Sequence, residues 1–291
     1  MNNKGMTLTI VFEAESLNYG EGMGNVTSLK KVTRNNGESF SYISRQALTY
    51  DIRRIMGANN TPLSLDGTVI QFAPNATIQD NPEIDLFGYM KTVKPTKTRS
   101  AVVRVSNAIS LEGFNADLDF LTNKGLLDRY NLSSGESKEG GNISQSEIHK
   151  SFYVYTVTID LDKVGIDEND SIEIPNSEKA TRVINLLNAI KFLHRDIKGR
   201  RENLSPVFII GGVYDIKSPF FENRIKLHSK NIDINPIKAT LSLDEHILEN
   251  TKVASIKGIF ANDNELETEL QTISINEFFN SLESEVNNYY L

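Results

Sequence analysis

Lysine and arginine side chains gather in short clusters of this sequence, and the chemistry they offer is phosphate binding. Residues 90–105 contain five of these bases and no acid, and residues 182–201 contain six bases and one acid. Such side chains position a nucleic-acid backbone without reading its bases. The clusters therefore favour a backbone ligand, although solvated surface charge is the more common meaning of any single cluster.

The net charge of −7 is concentrated at one end of the chain. Residues 262–291 carry seven acids and no lysine or arginine, whereas the 31 acids of residues 1–261 balance 31 bases. Most of the chain is therefore neutral and can present local positive surfaces. The acidic end also carries spaced apolar residues, which predict an amphipathic docking helix: Ile273, Ile275, Phe278, Phe279 and Leu282.

Several kinds of catalytic site find no support in the residue types. The chain has no cysteine, which excludes disulfides, thiol catalysis and cysteine-ligated zinc. The four histidines are scattered without metal-ligand spacing, at positions 149, 194, 228 and 246. Asp117 and Asp119 could chelate magnesium as a nuclease pair. Their alternation with apolar residues more simply indicates a solvent-facing edge of a short segment.

The elements that must position these side chains follow a recognisable order. Ser44 and Gly57 are suited to begin and end a helix over residues 44–56. A second helix is predicted from Ser177 to Lys198 by an apolar stripe that ends at Ile197, which places Arg200 and Arg201 just past its end. Strands are predicted at residues 7–14, 101–105, 108–111, 152–160 and 207–214. The order is the β-α-β-β-α-β layout of an α+β, ferredoxin-like or RNA-recognition-motif (RRM) core.

Three segments outside that core consist mainly of turn-forming or polar residues. Residues 58–97 are rich in glycine, asparagine and proline and indicate an insertion. The stretch 132–142 has little to bury and predicts an exposed, mobile tip. Gly20, Gly22 and Gly24 lie in a loop after the first strand, without the spacing of a dinucleotide fingerprint. This loop could offer backbone N–H groups to a phosphate chain, with a purely structural loop equally favoured.

Specific blocks of sequence resemble one known family. Residues 12–22 with 42–48, residues 104–112 with 117–122, and residues 197–206 are similar to the backbone subunit of type I-B Cascade. This subunit is the DevR branch of the seventh core CRISPR-associated (Cas) family. The blocks are collinear over residues 6–215, and the sequence beyond Tyr214 is less distinctive.

The resemblance implies a hand-shaped protein with a modified RRM palm. Each of its copies would stack head to tail on a guide RNA (crRNA), with a thumb reaching over the RNA. The implied divisions are a palm formed by residues 1–57, 98–122 and 156–215, a finger insertion at 58–97, a thumb β-hairpin at 123–155, and a C-terminal extension at 216–291 that packs on the palm.

The same resemblance implies which residues grip the RNA. Relatives often place a base inside the first helix where this chain has Thr49, so the contacts there differ. Arg200 and Arg201 match a family motif that could instead serve packing or the neighbour interface. The implied RNA-binding residues are Asn18, Tyr19, Gly20, Lys30, Lys31, Arg34, Ser44, Arg45, Gln46, Arg53, Arg200 and Arg201, and the implied thumb residues are Gly135, Lys138 and His149.

The implied partners are crRNA, target DNA through guide pairing, further copies of the chain and other Cascade subunits. Related type III subunits cut RNA with an aspartate after the first strand, whereas residues 16–40 contain none. We therefore expect a non-enzymatic protein without cofactor or metal. It should be cytoplasmic, since no apolar run is long enough to span a membrane and no signal peptide is expected. Two alternatives are a metal-dependent ribonuclease using Asp117 and Asp119 and a free-standing nucleic-acid-binding regulator.

Overall fold

A computed structural model describes residues 3–15, 17–20, 22, 24–34, 37–92, 94–115, 117–140 and 143–291. Its helices are α1 (Arg45–Ile55), α2 (Pro82–Phe87), α3 (Lys124–Ser134), α4 (Asn176–Lys191), α5 (Asn235–Leu241), α6 (Glu245–Asn250), α7 (Asp263–Leu270) and α8 (Ile275–Tyr290). Its strands are β1 (Gly5–Ala14), β2 (Val26–Thr27), β3 (Lys31–Arg34), β4 (Glu38–Ile43), β5 (Leu63–Asp66), β6 (Val69–Phe72), β7 (Tyr89–Lys91), β8 (Lys97–Arg99), β9 (Val103–Val105), β10 (Ala108–Ser110), β11 (Asp117–Thr122), β12 (Ile143–Ile148), β13 (Ser151–Asp160), β14 (Ile166–Asp167), β15 (Ile172–Glu173), β16 (His194–Ile197), β17 (Arg200–Asn203), β18 (Phe208–Tyr214), β19 (Leu227–His228), β20 (Asn231–Ile232) and β21 (Lys252–Ser255).

One large sheet forms the centre of the molecule. Its spatial order is β21-β18-β1-β13-β10-β4-β3, and β9 also pairs with β13. The antiparallel pairing of β1 with both β13 and β18 places the first strand between the third and fourth strands of the core. This pairing, with α1 and α4 as the two connecting helices, is the ferredoxin-like arrangement. The predicted α+β, RRM-like fold class is confirmed.

The two faces of the sheet are covered by different parts of the chain. Met6, Leu8, Ile10 and Phe12 alternate along β1 and pack in one apolar cluster with residues of α1, α4 and α8. Val11 points to the other face and joins a second cluster with the segment from Phe221 to Leu270. Residues beyond β18 therefore cover parts of both faces.

The acidic C-terminal segment forms the amphipathic helix that its apolar spacing predicts. Ser274 caps α8 through a reciprocal capping box with Glu277. One face of the helix is buried in the cluster that contains α4, and its buried residues are Phe278, Phe279, Leu282, Val286 and Tyr290. The prediction of a docking helix is confirmed, and its partner is α4 of the same chain.

The second core helix is shorter than predicted. It ends at Lys191, and His194–Ile197 pairs with Arg200–Asn203 as the β16–β17 hairpin. Lys198 and Gly199 have φ values of 50° and 79°, as both central residues of a two-residue type I′ turn require. The placement of Ile197 in the helix was wrong because its spacing fitted the apolar stripe by coincidence. Arg200 and Arg201 accordingly lie on β17, not just past a helix end.

Two segments outside the core have structure of their own. The insertion contains the β5–β6 and β7–β8 hairpins around α2, with a small apolar cluster that includes Ile78, Ile84 and Tyr89. Strand β8 ends at Arg99, past the expected boundary at residue 97.

The β11–β12 hairpin pairs residues 117–122 with 143–148 in a separate sheet, and the unpredicted helix α3 lies between them. The hairpin therefore begins before the expected boundary at residue 123. Residues 151–155 belong to β13 of the central sheet. Gly141 and Asn142 of the predicted mobile tip lie outside the described residues.

Candidate nucleic-acid interface

The loop after β1 is fastened to the start of α1. The Asn18 carbonyl accepts a hydrogen bond from the Lys30 N–H, and the Gly20 N–H donates to the Ser28 carbonyl, both at 2.8 Å. Asn18 is buried, and its side-chain amide donates to Ser44 Oγ at 3.1 Å. The expectation that this loop offers free N–H groups to phosphate is wrong for Gly20, because its N–H already has a partner. Asn18 serves to position the loop.

The first turn of α1 presents polar side chains to solvent. Ser44 caps the helix by accepting a hydrogen bond from the Ala47 N–H. Arg45 and Gln46 follow it and are both exposed. The Arg45 N–H donates to Asn107 Oδ1 at 2.8 Å, and the guanidinium group has no ion pair with a described carboxylate. This turn therefore combines an exposed cation with the positive end of the helix dipole.

The β16–β17 hairpin reaches the same loop from the second half of the chain. Lys198 Nζ lies 4.7 Å from the centroid of the Tyr19 ring, a cation–π contact. Lys198 belongs to a basic cluster of the sequence but was not among the predicted site residues. The sequence did contain a signal for this hairpin. Gly199 follows Lys198 between two short segments, and glycine favours two-residue hairpin turns.

A carboxylate on the β11–β12 hairpin holds the other side of the loop. Glu147 accepts hydrogen bonds from the Leu29 N–H at 2.8 Å and from Lys31 Nζ at 2.6 Å. Its backbone carbonyl accepts a third from the Tyr19 hydroxyl at 3.1 Å. Lys31 also lies 4.3 Å from the centroid of the Phe114 ring. Lys31 is thus occupied within the protein, and Tyr19 joins two elements.

The predicted basic residues divide into two groups by ion pairing. Arg53 Nη1 lies 2.8 Å from Glu83 Oε1. Arg200 pairs with Glu15 and Glu202, and Arg201 Nε lies 2.8 Å from Asp196 Oδ1. Within the described residues, ion pairs with a carboxylate are absent for four cations of this region: Lys30, Arg34, Arg45 and Lys198. Arg34 instead lies 5.4 Å from the Phe40 ring centroid.

The pKa shifts near the hairpin are consistent with this division. The hydrogen bond from Arg201 lowers the pKa of Asp196, so both groups of this exposed pair are charged at neutral pH. Burial raises the pKa of Glu202, opposed by its hydrogen bond from the Glu15 N–H and by the charge of Arg200. Arg200 and Arg201 are therefore held in ion pairs with carboxylates of the protein itself.

The three predicted thumb residues lie at different depths. Gly135 has a φ of 71° and ends α3, and Lys138 pairs with Glu136 and approaches the Tyr130 ring at 4.8 Å. His149 is buried at the base of the hairpin, where its Nδ1 is 2.7 Å from Ser41 Oγ. Burial lowers the pKa of His149. Gly135 and Lys138 are exposed near the tip, whereas His149 has a structural position.

The outer face of the sheet is not an open platform. Val11, Phe152, Phe208 and Ile210 are buried there beneath the segment that follows β18. Thr9 and Thr156 form a buried hydroxyl pair at 2.9 Å on the neighbouring strands. Base stacking of the kind used by RRM sheets requires exposed aromatic rings. The loop, the start of α1 and the β16–β17 hairpin therefore form the best candidate surface.

Asp117 and Asp119 lie on the exposed strand β11 opposite Ile148 and Ser146. Over the described ranges, groups of three or more histidine and carboxylate side chains suited to one metal ion are absent. Nor does any helix in the described part of the chain have the length and apolar character needed to cross a membrane.

Comparison with known proteins gives three findings. Residues 6–233 match the model of a family described as "CRISPR-associated negative auto-regulator DevR/Csa2". A solved chain from "CRISPR RNA-guided surveillance complex, pre-nicking" has a TM-score of 0.64 and 12% identity, covering 97% of this chain and all of that one. A second, from "CRISPR RNA-guided surveillance complex", has a TM-score of 0.59 and 14% identity, covering 97% and 99%. No curated protein sequence matches at a significant level. At these identities the solved structures show a shared fold.

Proposed function

The chain belongs to the DevR/Csa2 family of CRISPR-associated proteins, and from that premise we propose that it is the subunit that binds guide RNA in a type I-B surveillance complex. Copies of the chain assemble along the RNA and present its bases for pairing with target DNA. In RNA-guided recognition, base pairing supplies sequence specificity and the protein supplies geometry. The protein works in the cytoplasm, beside the other subunits of the complex.

The observation that carries this proposal is the meeting of three basic elements at one place. Lys30 lies in the loop after β1, and its side chain runs beside Gly20. The N-cap Ser44, one residue before Arg45, bonds to Asn18 of that loop, and Lys198 contacts Tyr19 of the same loop. Lys198 is far in sequence from Lys30 and Arg45, and none of the three cations has an ion pair with a described carboxylate. Such cations bind a polyanion without first breaking an internal pair.

The kind of contact follows from the side chains. Lys30, Arg45 and Lys198 donate hydrogen bonds and accept none, and their charges suit phosphate oxygens, which carry no sequence information. Tyr19 contributes an aromatic ring to this interface, and Lys198 Nζ lies over one side of that ring. We therefore propose that the protein holds the RNA by its backbone and leaves its bases available.

Exposed apolar side chains support assembly of several copies. The β5–β6 hairpin exposes Leu63, Leu65, Val69 and Ile70, the last at 71%. Leu118, Phe120 and Leu121 on β11 are also more than half exposed. Contiguous exposed apolar surface in a soluble protein commonly marks a protein interface. We propose that these two hairpins contact neighbouring copies along the RNA.

The protein in this proposal does not cleave RNA. Residues 16–40 contain no aspartate at the position where type III relatives carry the catalytic residue. Binding and cleavage are tested together by mixing the purified protein with single-stranded RNA of increasing length. Particle size is followed by light scattering and negative-stain microscopy, and RNA length by gel electrophoresis.

Particles that lengthen stepwise with intact RNA are the expected result. A fixed stoichiometry on long RNA would contradict the assembly proposal and favour a free-standing regulator. Magnesium-dependent shortening of the RNA, lost in Asp117→Asn and Asp119→Asn variants, would contradict the proposal that the protein is not an enzyme.

A further inference from the structure

A second basic surface lies in the segment between β18 and α5. Between Asn223 and Ile232 the sequence contains three lysine or arginine residues, one histidine and no acid. The four side chains occur at every second position and are all exposed: Arg224, Lys226, His228 and Lys230. We call these four residues the extension strip. It was not among the residues to which sequence analysis assigned a function.

The intervening residues explain why the strip faces outward. Ile225 and Leu227 are buried, at 4% and 9% exposure, in the apolar cluster that also contains Val11 and Phe208. Alternation along an extended segment sends neighbouring side chains to opposite sides. The buried pair therefore fixes Lys226 and His228 on the outer surface. Because α1 packs on the other face of the sheet, the strip is separate from the interface described above.

The basic side chains of the strip lack internal ion pairs. In the described part of the chain, 19 lysines and arginines pair with a carboxylate, but Arg224, Lys226 and Lys230 do not. Four lysines elsewhere in the same extension do pair, namely Lys217, Lys238, Lys252 and Lys257. The extension therefore has carboxylates that pair with other lysines, and the lysines and arginine of the strip do not pair with them.

Lys230 occupies an unusual backbone position. Ser229 and Lys230 have φ values of 49° and 65° and form the two-residue turn between β19 and β20. Glycine and asparagine adopt this conformation more readily than lysine. Lys198, at the tip of the β16–β17 hairpin, shows the same choice with a φ of 50°. Both hairpins thus carry an exposed lysine in a turn where a lysine is not the favoured residue.

The acidic surface of a second copy is a poor partner for the strip. Six of the seven acids in residues 262–291 already accept hydrogen bonds or ion pairs within the chain: Asp263, Glu265, Glu267, Glu269, Glu277 and Glu285. Docking these carboxylates on another copy would break those contacts. Phosphate groups of a nucleic acid have no such internal partners, and arginine and lysine are suited to bind them.

We propose that the extension strip is a second phosphate-binding surface, which holds a single nucleic-acid strand by its backbone while the guide RNA occupies the first interface. The strip offers donors but neither an exposed aromatic ring nor a paired carboxylate, so it binds without sequence preference. A strand other than the guide can therefore lie on the opposite side of the sheet from α1. Binding at the strip does not require that the first interface bind RNA.

The test uses the full-length protein and a labelled oligodeoxythymidine, which does not pair with oligouridine RNA. Binding is measured by fluorescence anisotropy over a range of salt, with the wild type and with Arg45→Ala/Lys198→Ala, which removes two cations of the first interface. We expect Arg45→Ala/Lys198→Ala still to bind the DNA at the strip. In Arg224→Ala/Lys226→Ala/Lys230→Ala, the slope of log K against log salt should fall by about 2, since each contact on a single strand contributes about 0.7.

The matched control is Lys238→Ala/Lys252→Ala/Lys257→Ala, which removes the same charge from paired lysines of the same extension. Its salt slope should stay close to that of the wild type. Failure of Arg45→Ala/Lys198→Ala to bind DNA, or an equal loss in both triple variants, would overturn the proposal. Stronger displacement of the DNA by polyglutamate than by unlabelled oligodeoxythymidine at equal charge concentration would also overturn it in favour of an acidic protein. Loss of oligouridine binding alone would count against the first interface and not against the strip.

Discussion

Lys198 Nζ lies 4.7 Å from the centroid of the Tyr19 ring, so a turn late in the core reaches the loop that follows the first strand. Tyr19 in turn donates its hydroxyl hydrogen to the carbonyl of Glu147. Two hairpins distant in sequence are therefore joined through one aromatic side chain. This contact defines where the proposed RNA backbone would pass.

Removing two unpaired cations should weaken RNA binding in a salt-dependent way. In Arg45→Ala/Lys198→Ala we expect the salt slope for oligouridine to fall by about 1.4, at about 0.7 for each lost phosphate contact. The measurement is a fluorescence anisotropy titration at several salt concentrations. Lys238→Ala/Lys257→Ala is the control, since both lysines are paired with glutamates. An unchanged slope in Arg45→Ala/Lys198→Ala would show that the RNA binds elsewhere.

The sequence predicted the core well because its signals there are local and strong. Ser44 and Gly57 marked the ends of α1, and the structure places Ser44 at the N-cap and Gly57 at a φ of 68°. The apolar residues of β1, β13 and β18 are buried along nearly their whole length, as expected of central strands. The acidic C-terminal helix was also predictable, because its apolar residues repeat at helical spacing.

The composition of the site could not be read from the sequence in the same way. Sequence alone does not distinguish Arg53 and Arg201 from Arg45. In the structure Arg53 pairs with Glu83, which is 30 positions away, and Arg201 pairs with Asp196 on the facing strand. Only the fold brings Glu83 to Arg53. Lys198 was assigned to a helix because Ile197 fitted its apolar period, although residues 194–203 form a hairpin. Pairing between distant segments thus decided which cations stay available.

A buried carboxylate connects the insertion to the core, and its loss should destabilise the protein strongly. Asp85 is fully buried and bonds to Arg99 at 2.6 Å, to Arg182 at 2.9 Å and to the Gly165 N–H. Asp85→Ala would leave two buried guanidinium groups without this partner, at a cost of about 3–5 kcal/mol.

The measurement for Asp85→Ala is the free energy of unfolding in urea, followed by circular dichroism. Asp80→Ala removes an exposed aspartate of the same insertion and should change it by less than about 0.5 kcal/mol. Equal stability of the two variants would show that the buried network contributes little.

Burial of His149 should make the stability of the protein depend on pH. Burial lowers the pKa of His149 below its ordinary value of 6.5, opposed by the Gly113 carbonyl and the charges of Glu112 and Asp117. The unfolded chain then takes up a proton at a higher pH than the folded one, so this contribution is present above pH 6.5 and is lost as pH falls toward the lowered pKa.

His149→Gln should remove that part of the pH dependence. The difference in unfolding free energy between wild type and His149→Gln should shrink as the pH falls from neutral. His228→Gln, which replaces an exposed histidine, is the control for loss of an imidazole outside the buried site. Parallel curves for His149→Gln and the wild type would contradict this account of the buried ring.

Neutralising Glu147 should remove its ion pair with Lys31 while keeping its hydrogen bond with the Leu29 N–H. The carboxylate holds Lys31 at 2.6 Å and the Leu29 N–H at 2.8 Å. A glutamine can still accept the hydrogen bond from Leu29, but it no longer forms the ion pair. Lys31 is then available to phosphate, and a negative charge beside the RNA is gone. We therefore expect Glu147→Gln to bind oligouridine more tightly, with a salt slope larger by about 0.7.

The lost ion pair should also loosen the β11–β12 hairpin, since Glu147 joins it to the loop after β1. Limited proteolysis should show faster cleavage within residues 117–148 of Glu147→Gln than of the wild type. Glu136→Gln is the matched control, because Glu136 pairs with Lys138 near the exposed end of the same hairpin. Weaker RNA binding with an unchanged salt slope would instead mean that the Lys31–Glu147 pair positions the hairpin for binding, and that Lys31 does not become a phosphate contact.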